Sequence, residues 1–209
     1  MRLVCISDTH SMHRQVAVPD GDVLIHAGDC LGVGTLEELE DLDNWLSEQP
    51  HRHKILIAGN HDWCLQDEPA EAEALLRHAI YLRDSGTEIE GVRFWGSPWT
   101  PIFFDWAFNL ARGPAIAERW AQIPAATDVL ITHGPPAGIL DQVFTAKDSL
   151  SVGCEDLARE LERLAVKLHI FGHIHEGYGQ QTLNYRLYVN ASTCTGQYKP
   201  MNPPIVLDI

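Results

Sequence analysis

The feature that most constrains the fold of this chain is a series of short apolar runs that each end in polar residues. Five of the runs end in the motifs SDTH (Asp8 and His10), HAGD (Asp29), AGNHD (Asn60, His61 and Asp62), THG (His133) and FGHIH (His173 and His175). The runs are rich in Val, Ile and Leu, and most are continuous rather than alternating. Continuous apolar runs of this length are typical of strands that are buried on both faces.

Amphipathic patterns lie between these runs. In residues 35–46 (TLEELEDLDNWL) leucines recur at helical spacings, and residues 70–79, 113–122 and 153–168 show similar patterns. Such patterns predict helices with one buried face, and helices that alternate with strands predict an α/β fold. The segments RFWGSPWT, YRLYVNAS and PIVLDI are interpreted as further strands. In α/β folds ligands bind at the carboxyl ends of the strands, which is where the polar clusters lie.

The composition favours a soluble protein with one core. A chain of 209 residues with 45% hydrophobic and 21% charged residues is long enough for one well-buried domain, and a single domain over residues 1–209 is predicted. No apolar stretch approaches the length of a membrane span, and the N-terminus lacks a signal-peptide pattern. The five cysteines contain no CxxC motif, which favours reduced thiols. Together these features predict a cytoplasmic protein without a membrane partner.

The charge of the chain bears on its partners. A formal net charge of −14 argues against duplex nucleic acid, because such a chain repels a polyanion at long range. No block of Lys or Arg stands out in the sequence. An anionic small molecule remains compatible with this charge if bound metal ions make the site locally positive.

The polar residues at the ends of the runs form a candidate metal set: Asp8, His10, Asp29, Asn60, His133, His173 and His175. Imidazole, carboxylate and amide ligands in this mixture suit Mn²⁺, Fe, Zn²⁺ or Ni²⁺ better than Ca²⁺ or Mg²⁺ alone, and manganese is the first expectation. The set contains no thiolate, which argues against a structural zinc site. So many ligands exceed the capacity of one tetrahedral ion, and they fit two divalent ions that share a bridging carboxylate. Such a two-metal site polarises a phosphoryl oxygen and generates hydroxide near neutral pH.

The order of the motifs resembles the signature of the calcineurin-like metallophosphoesterases, which is D-x-H, G-D, G-N-H-D, H and G-H-x-H. The segments GSPWTP, WAFNL, THGPPAGILD, GHIHEGYG and NASTC extend the resemblance over almost the whole chain. They are similar to the branch of metallophosphoesterase-domain proteins that includes the fetal-brain members of vertebrates. The resemblance implies a two-sheet sandwich of mixed strands flanked by helices, with a dinuclear metal site at the carboxyl ends of the strands.

The resemblance also implies a role for each matching residue. The first ion is held by Asp8, His10, Asp29 and His175, and the second by Asp29, Asn60, His133 and His173, so that Asp29 bridges. His61 contacts the scissile phosphate and either protonates the leaving oxygen or stabilises its charge. An alternative from the residues alone is that the adjacent Asp62 holds His61 as a structural pair. Some vertebrate members carry Gly in place of His173, whereas the ligand set here is complete.

The implied reaction is hydrolysis of a phosphodiester by a hydroxide that bridges the two ions. The implied substrate is a small phosphate ester, with cyclic nucleotides as the leading class. The alternative is a catalytically weak regulatory or scaffold protein that retains the fold and binds a nucleotide without turnover, and the complete ligand set argues against it. A third possibility, metal-assisted hydrolysis of amides, is disfavoured by the G-N-H-D motif.

Residues 96–113 (GSPWTPIFFDWAFNLARG) are rich in aromatic residues and show no clear period. Long irregular loops in compact domains are often functional. Trp99, Trp106 and Phe108 are interpreted either as core residues or as rings that stack on a substrate base, with Trp106 first because it lies in the middle of the loop. Arg112 is interpreted either as a phosphate ligand or as a solvated charge.

The remaining histidines carry no ligand motif. His26 lies inside its apolar run rather than at its end, and it is predicted to be buried and hydrogen-bonded. The others are interpreted as structural or exposed residues: His13, His51, His53, His78 and His169.

Overall fold

A computed structural model describes residues 1–144 and 148–209 of the chain. Its strands are, in chain order, β1 (Arg2–Ile6), β2 (Val23–Ala27), β3 (His53–Ile57), β4 (Ile80–Tyr81), β5 (Ser85–Ile89), β6 (Val92–Ser97), β7 (Thr100–Pro101), β8 (Asn109–Leu110), β9 (Val129–Thr132), β10 (Gln142–Phe144), β11 (Ser149–Ser151), β12 (Leu168–Phe171), β13 (Gly179–Leu183), β14 (Arg186–Asn190) and β15 (Ile205–Asp208). Its helices are α1 (Leu36–Glu48), α2 (Trp63–Asp67), α3 (Pro69–Leu75), α4 (Pro114–Trp120) and α5 (Glu155–Arg163). Short 3₁₀ turns occupy His13–Gln15 and His175–Gly177.

Two main sheets organise the fold. In the first, with the order β15-β1-β2-β3-β4, strands β1 to β4 are parallel and β15 is antiparallel to β1. In the second, with the order β13-β14-β12-β9-β6-β5, the four inner strands are parallel and an antiparallel strand lies at each edge. The predicted α/β class with two mixed sheets flanked by helices is therefore confirmed.

The two faces of each central strand contribute to different parts of the core. In β1, Leu3 and Cys5 belong to an apolar cluster that also contains Ile131 of the second sheet. The intervening Val4 and Ile6 belong to the cluster that includes the buried faces of the helices. Because successive side chains of a strand point to opposite faces, a strand between a second sheet and a helix layer must be apolar throughout. This explains the continuous apolar runs of the sequence.

The helix predicted over residues 35–46 forms as α1. Thr35 caps it, because its Oγ1 accepts the N–H of Glu38 at 3.3 Å while the Glu38 carboxylate accepts the N–H of Thr35 at 3.3 Å. This reciprocal pair is a capping box, which satisfies two N–H groups that the helix leaves free. Leu39 and Leu42 are buried on one face, as the spacing predicts.

The helix predicted over residues 153–168 is shorter in the structure, where α5 ends at Arg163. The buried guanidinium of Arg186 in β14 donates to the carbonyl of Leu161 at 2.9 Å and to that of Leu164 at 2.8 Å. Carbonyls at the end of a helix need such partners. The partner here belongs to a strand that is distant in the sequence. The local spacing of apolar residues therefore does not reveal where the helix ends.

Residues 96–113 form a largely irregular loop in which β7 and β8 pair in parallel. The N–H of Thr100 donates to the carbonyl of Phe108 at 2.9 Å, and the N–H of Ile102 donates to that of Leu110 at 2.9 Å. The helices predicted over residues 70–79 and 113–122 form as the shorter α3 and α4. The sequence patterns do not predict strands β4, β5, β7, β8, β10, β11 and β13 or helix α2. Among the described residues, no helix is both long enough and apolar enough to cross a bilayer.

Candidate metal centre and active site

The carboxyl ends of β1, β2, β3, β9 and β12 bring the predicted ligands together from both sheets. The described residues contain three groups of side chains whose ligand atoms lie within 4.8 Å of one another. The groups are Asp8 with His10 and His175, His10 with Asp29 and His61, and Asp29 with His133 and His173. Because these groups share members, they form one continuous cluster.

The first end of the cluster is built on Asp8. Its Oδ1 lies 3.4 Å from Nε2 of His175, which lies 3.4 Å from Nε2 of His10. Both Asp8 oxygens accept the N–H of His173 at 3.0 Å, and Oδ2 accepts the hydroxyl of Ser192 at 3.0 Å. These hydrogen bonds fix the carboxylate while one oxygen faces the two imidazoles.

The second end is built on Asp29, His133 and Asn60. Nε2 of His133 lies 3.3 Å from Oδ1 of Asp29 and 3.0 Å from Oδ1 of Asn60. The other Asp29 oxygen, Oδ2, lies 4.0 Å from Nε2 of His10. Asp29 therefore presents one oxygen to each end of the cluster, and the ring of His173 lies 4.9 Å from that of His133 between centroids.

Hydrogen bonds to backbone carbonyls determine which nitrogen of His133 and of His175 faces the cluster. Nδ1 of His133 donates to the carbonyl of Ala27 at 3.0 Å, and Nδ1 of His175 donates to that of Thr195 at 3.0 Å. Each neutral ring then turns the lone pair of Nε2 toward the cluster. Nδ1 of His10 is buried and has no hydrogen-bond partner among the described residues.

The donor set fits a cation. With Nδ1 protonated, Nε2 of His133 faces only the acceptor oxygens of Asp29 and Asn60, and Nε2 of His175 faces Asp8 in the same way. Lone pairs that converge without a hydrogen between them repel, so a proton or a metal ion must lie there. Imidazole and carboxylate ligands without thiolates suit a divalent transition metal.

The close approach of imidazoles and carboxylates also shifts the pKa values of these groups. Burial opposes protonation, yet Asp29 raises the pKa of His133 to about 9, and Asp8 raises that of His175 to about 9. Burial likewise opposes ionisation of the two carboxyls, yet the facing imidazoles hold the pKa of Asp8 and of Asp29 well below the usual range. Burial and the charge on His133 lower the pKa of His173 to about 4. In the absence of an ion, a proton on His133 or His175 supplies the positive charge that the facing carboxylates favour.

The backbone of the cluster is strained at four of the predicted ligand positions. Asp8 (φ 52°), His10 (φ 43°), Asp29 (φ 50°) and His173 (φ 69°) all lie in the left-handed region. Non-glycine residues adopt this region at a cost of about 1–2 kcal/mol each. Such strain persists where the surrounding structure fixes it, and it concentrates at functional sites.

Two glycines allow the loops to approach the carboxylates. A Cβ on Gly172 would lie 2.0 Å from Oδ2 of Asp8, and a Cβ on Gly59 would lie 2.4 Å from Oδ1 of Asp29. Any side chain at either position would displace a predicted ligand. Gly172 of FGHIH and Gly59 of AGNHD are therefore required because the adjacent carboxylates leave no room for a Cβ.

His61 lies beside the cluster, and its contacts are not with Asp62. Its Nδ1 donates to the carbonyl of Gly32 at 2.8 Å, and its N–H donates to Oδ1 of Asp29 at 2.8 Å. Its ring meets that of His10 edge-on at 4.6 Å and stacks on that of Trp106 at 4.4 Å. A side-chain pair of His61 with Asp62 is contradicted by these partners.

Asp62 instead joins two ligand loops. Its buried carboxylate accepts the N–H of Gly59 at 2.7 Å, that of Leu31 at 2.9 Å and that of Cys30 at 3.3 Å. The first N–H belongs to the loop after β3, and the other two belong to the loop after β2. Burial and the charge of Asp29 raise the pKa of Asp62 to about 7.

The structure corrects two of the candidate substrate residues. Trp99 and Phe108 are buried in the core, and Nε1 of Trp99 donates to Asp84 at 2.7 Å. They are not available to a substrate. Arg112 is ion-paired with Glu155 and donates to the carbonyls of Val152 and Gly153. Of the predicted stacking rings, Trp106 alone lies at the cluster, and one of its faces is taken by His61.

The other histidines behave as predicted. His26 is buried, with Nε2 2.8 Å from Oγ1 of Thr9 and Nδ1 3.3 Å from Sγ of Cys30. His13 pairs with Asp41, His78 with Asp43 and His169 with Thr132.

Three residues near the cluster were missed by the sequence analysis. The hydroxyl of Ser192 donates to Asp8. Ser192 lies in the NASTC segment, which contributes to the family resemblance but does not by itself indicate a role for the residue. The ring of Phe103 lies 5.3 Å from that of His173, and the ring of Tyr198 lies 4.8 Å from that of His10. Both rings line a cavity of about 470 Å³ beside His173 and His175.

A two-sheet α/β sandwich with clustered histidines and carboxylates at its strand ends defines a class, the metal-dependent hydrolases of phosphate esters. The model of the family described as calcineurin-like phosphoesterase matches residues 1–177. The chain belongs to this family, whose members use divalent metals, and the resemblance of the motifs is confirmed.

Relatives agree with this family over the full chain. The human Metallophosphoesterase domain-containing protein 1 is 44% identical over 232 residues, which covers 100% of this chain and 71% of that protein. The UPF0046 protein K07C11.7 of Caenorhabditis elegans is 37% identical and covers 100% and 75%. Among solved structures, a protein of Thermus thermophilus matches with a TM-score of 0.61 at 14% identity, covering 90% of this chain and 88% of that chain. An archaeal phosphodiesterase matches with a TM-score of 0.52 at 17% identity, covering 100% and 93%. These two structural matches show the fold.

Proposed function

We propose that the protein is a phosphodiesterase that uses two divalent metal ions to hydrolyse a phosphodiester, with cyclic nucleotides as the leading substrate class. The observation that supports this most is the convergence of atoms with lone pairs at Asp29. Its Oδ1 faces Nε2 of His133 at one end of the cluster, and its Oδ2 faces Nε2 of His10 at the other. The archaeal phosphodiesterase with the same fold supports the choice of a diester. The free, buried cysteines support a cytoplasmic location.

Each proposed ligand has a place in the cluster. Asp8, His10 and His175 would hold one ion, Asn60, His133 and His173 the other, and Asp29 would bridge. When bound, the two ions, with manganese as the first expectation, would neutralise the phosphate charge and polarise a phosphoryl oxygen. The backbone carbonyls of Ala27 and Thr195 keep the Nε2 atoms of their imidazoles turned inward.

His61 is proposed as the residue that acts on the leaving group. Because its Nδ1 donates to Gly32, a second proton on the ring resides on Nε2 and can pass from there to the departing oxygen. Trp106 on one face and His10 at the edge hold the plane of the ring. We propose that Trp106 is a positioning residue for His61 rather than the primary contact for a base.

The metal content of purified protein tests this proposal. We expect two ions per chain in the wild type by elemental analysis. Asp29→Asn should lose most of the metal and nearly all of the activity, because the amide cannot bridge as an anion. Asp20→Asn changes an exposed carboxylate and serves as the matched control. Circular dichroism checks that both variants are folded.

Two results would contradict the proposal. A folded Asp29→Asn variant with two tightly bound ions and normal turnover would remove the bridging role. A wild type with fewer than two ions that binds nucleotides without hydrolysis would favour a scaffold protein. The substrate class is tested with a panel of cyclic nucleotides, dinucleotides and matched nitrophenyl mono- and diesters, and preference for monoesters would overturn the diester assignment.

A further inference from the structure

We propose that the cavity beside His173 and His175 binds the ester group that remains on the phosphate, and that this group is an uncharged aromatic ring such as a nucleobase. The inference rests on the proposed phosphodiesterase function and names a subsite for it. The cavity has a volume of about 470 Å³. This is within the range of small-molecule sites, about 300–1,000 Å³.

The position of the cavity separates the two ester groups of a diester. Its lining includes His173 and His175 but neither His61 nor Trp106. The leaving group belongs with His61, because that ring supplies its proton in the proposed reaction. In an acyclic diester, a group that enters the cavity is therefore attached through the other ester oxygen, whereas in a cyclic nucleotide both oxygens belong to the same nucleoside.

Two aromatic rings form walls of the cavity. Phe103 lies 5.3 Å from the ring of His173, and Tyr198 lies 5.4 Å from that of His175. The two residues remain 40% and 52% exposed although their rings contact the cluster. Half-exposed aromatic rings that face a pocket are suited to stacking on the face of a base, which every base provides.

Hydrogen bonds hold both walls in place. The Asn109 side chain donates to the carbonyl of Phe103 at 3.1 Å. The carbonyl of Thr195 accepts both the N–H of Tyr198 at 2.8 Å and Nδ1 of His175 at 3.0 Å. The rings are thus tied to the loop and to a proposed metal ligand, and a ring that binds between them meets a preformed surface.

The charges around the cavity favour a neutral group. Apart from the histidines, the charged side chains among the described residues of the lining are Arg112 and Glu176. Arg112 is already paired with Glu155 and bonded to two carbonyls, and Glu176 repels an anion. A second phosphate would find no unpaired cation among these described lining residues. The described part of the lining therefore favours a nucleoside or another neutral ring over a polyphosphate as the retained group.

The test uses esters that share one leaving group and differ in the retained group. The nitrophenyl ester of thymidine monophosphate carries a base, and ethyl nitrophenyl phosphate does not. We expect wild-type kcat/KM to be about tenfold higher for the thymidine ester, since stacking on an aromatic ring commonly contributes this much. In Phe103→Ala and in Tyr198→Ala, the ratio of kcat/KM between the two esters should fall by about that factor.

The control variant is Tyr185→Ala, which removes a ring that is 75% exposed and lies outside the cavity lining. It should retain the wild-type ratio. Calorimetry with thymidine monophosphate and ethyl phosphate measures the same preference as binding, so the inference is tested even if no ester is hydrolysed. Failure of hydrolysis would count against the proposed function alone.

Two results would overturn the inference. An unchanged ratio in both Phe103→Ala and Tyr198→Ala, with circular dichroism showing intact folds, would mean that these rings do not receive the retained group. Faster hydrolysis of decyl nitrophenyl phosphate than of the thymidine ester, lost in the same variants, would mean that the cavity takes an alkyl chain.

Discussion

Three histidines of this site keep only Nε2 free, because Nδ1 of each donates to a backbone carbonyl. In His61 the carbonyl of Gly32 takes Nδ1, so chemistry at this residue is confined to Nε2. The same rule turns Nε2 of His133 and His175 toward the carboxylates. His61 differs from those two because its side chain forms no ion pair with a carboxylate among the described residues, although one of its ring nitrogens lies within 4.8 Å of an Asp29 oxygen. This difference supports the proposal that His61 exchanges a proton with a substrate rather than binding an ion.

We expect His61→Ala to keep both ions and to lose rate. General acid catalysis contributes about 10²–10⁴ to a reaction, so the loss should be in this range for substrates with alkoxide leaving groups. It should be much smaller for nitrophenyl esters, because nitrophenolate departs without a proton. Rates for a series of leaving groups, together with metal content, provide the measurement.

The control for this series is His53→Ala, which removes a histidine that belongs to none of the candidate metal groups. Equal losses for good and poor leaving groups in His61→Ala would contradict proton transfer and would indicate charge stabilisation or a structural role. Loss of metal from His61→Ala would contradict a role confined to the leaving group, because His61 also belongs to a candidate metal group with His10 and Asp29.

At the scale of elements, the loop after β12 packs directly on Asp8, a proposed ligand in the loop after β1. The N–H of His173 reaches both oxygens of Asp8, and Gly172 leaves no room for a side chain beside that carboxylate. The two main sheets therefore meet at the site through backbone contact. A change of one methyl group at this point should disturb both the fold and the ligands.

We expect Gly172→Ala to lower the free energy of unfolding by about 2 kcal/mol or more, because the added Cβ overpacks a buried polar contact. It should also weaken metal retention, since Asp8 must move. Gly91→Ala is the control, because a Cβ there meets nothing within 4 Å and only the left-handed backbone (φ 81°) is penalised. Urea unfolding and metal analysis compare the two, and equal behaviour would show that the contact with Asp8 is not tight.

The sequence predicts elements well where the signal is local. Strands β1, β2, β3, β9 and β12 follow from their apolar runs, and α1 follows from its period and its capping residues. The end of α5 does not, because it is set by Arg186 from another strand. The edge strands β5 and β13 are exposed or half-buried at every position except Ile89, so they lack the apolar pattern of buried strands.

The same distinction applies to the site. The proposed ligands were predictable as a group because each follows a buried strand, and strand ends meet in this fold. The burial of Trp99 and Phe108 was not predictable, because an irregular loop has no period to assign a face. Phe103 and Tyr198 are 95 positions apart in the sequence and come together at one cavity only through the fold.

At the scale of the whole molecule, each sheet contains one buried histidine that stays neutral. His26 lies in β2 and His169 lies in β12, and both are buried. Burial lowers the pKa of His26 to about 3 and lowers that of His169 well below its usual value. In the unfolded chain both would titrate near the ordinary histidine value of about 6.5.

The sign of the effect follows from proton binding. Below about pH 6.5 the unfolded chain takes up protons that the folded chain refuses, so stability is full above this pH and falls as the pH falls. For His169 alone the loss between pH 7 and about pH 5.5 is about 1 kcal/mol. We expect His169→Gln to be less stable than the wild type at pH 7 but to show a shallower loss on acidification by this amount. Urea unfolding at both pH values measures the difference, with His53→Gln as the control.

A parallel pH dependence in the wild type and His169→Gln would contradict the burial of a neutral imidazole in β12. The raised pKa values of His133 and His175 act in the opposite direction in the metal-free chain, because these folded-state imidazoles already hold their protons while the unfolded ones still titrate. Both variants contain these two histidines, so their contribution cancels when the wild type is compared with His169→Gln.

The carboxylate of Asp62 has a consequence for how the protein would respond to metal supply. It ties the loop that carries Asp29 to the loop that carries Asn60, and these loops serve both proposed ions. An ion that orders one loop would thereby prepare the other, and by reciprocity each ion would raise the affinity for its neighbour. Filling would then be cooperative. In a cell short of metal the population would divide into fully loaded and empty molecules. Total activity would then fall because fewer molecules are loaded, while each loaded molecule would keep its full turnover rate.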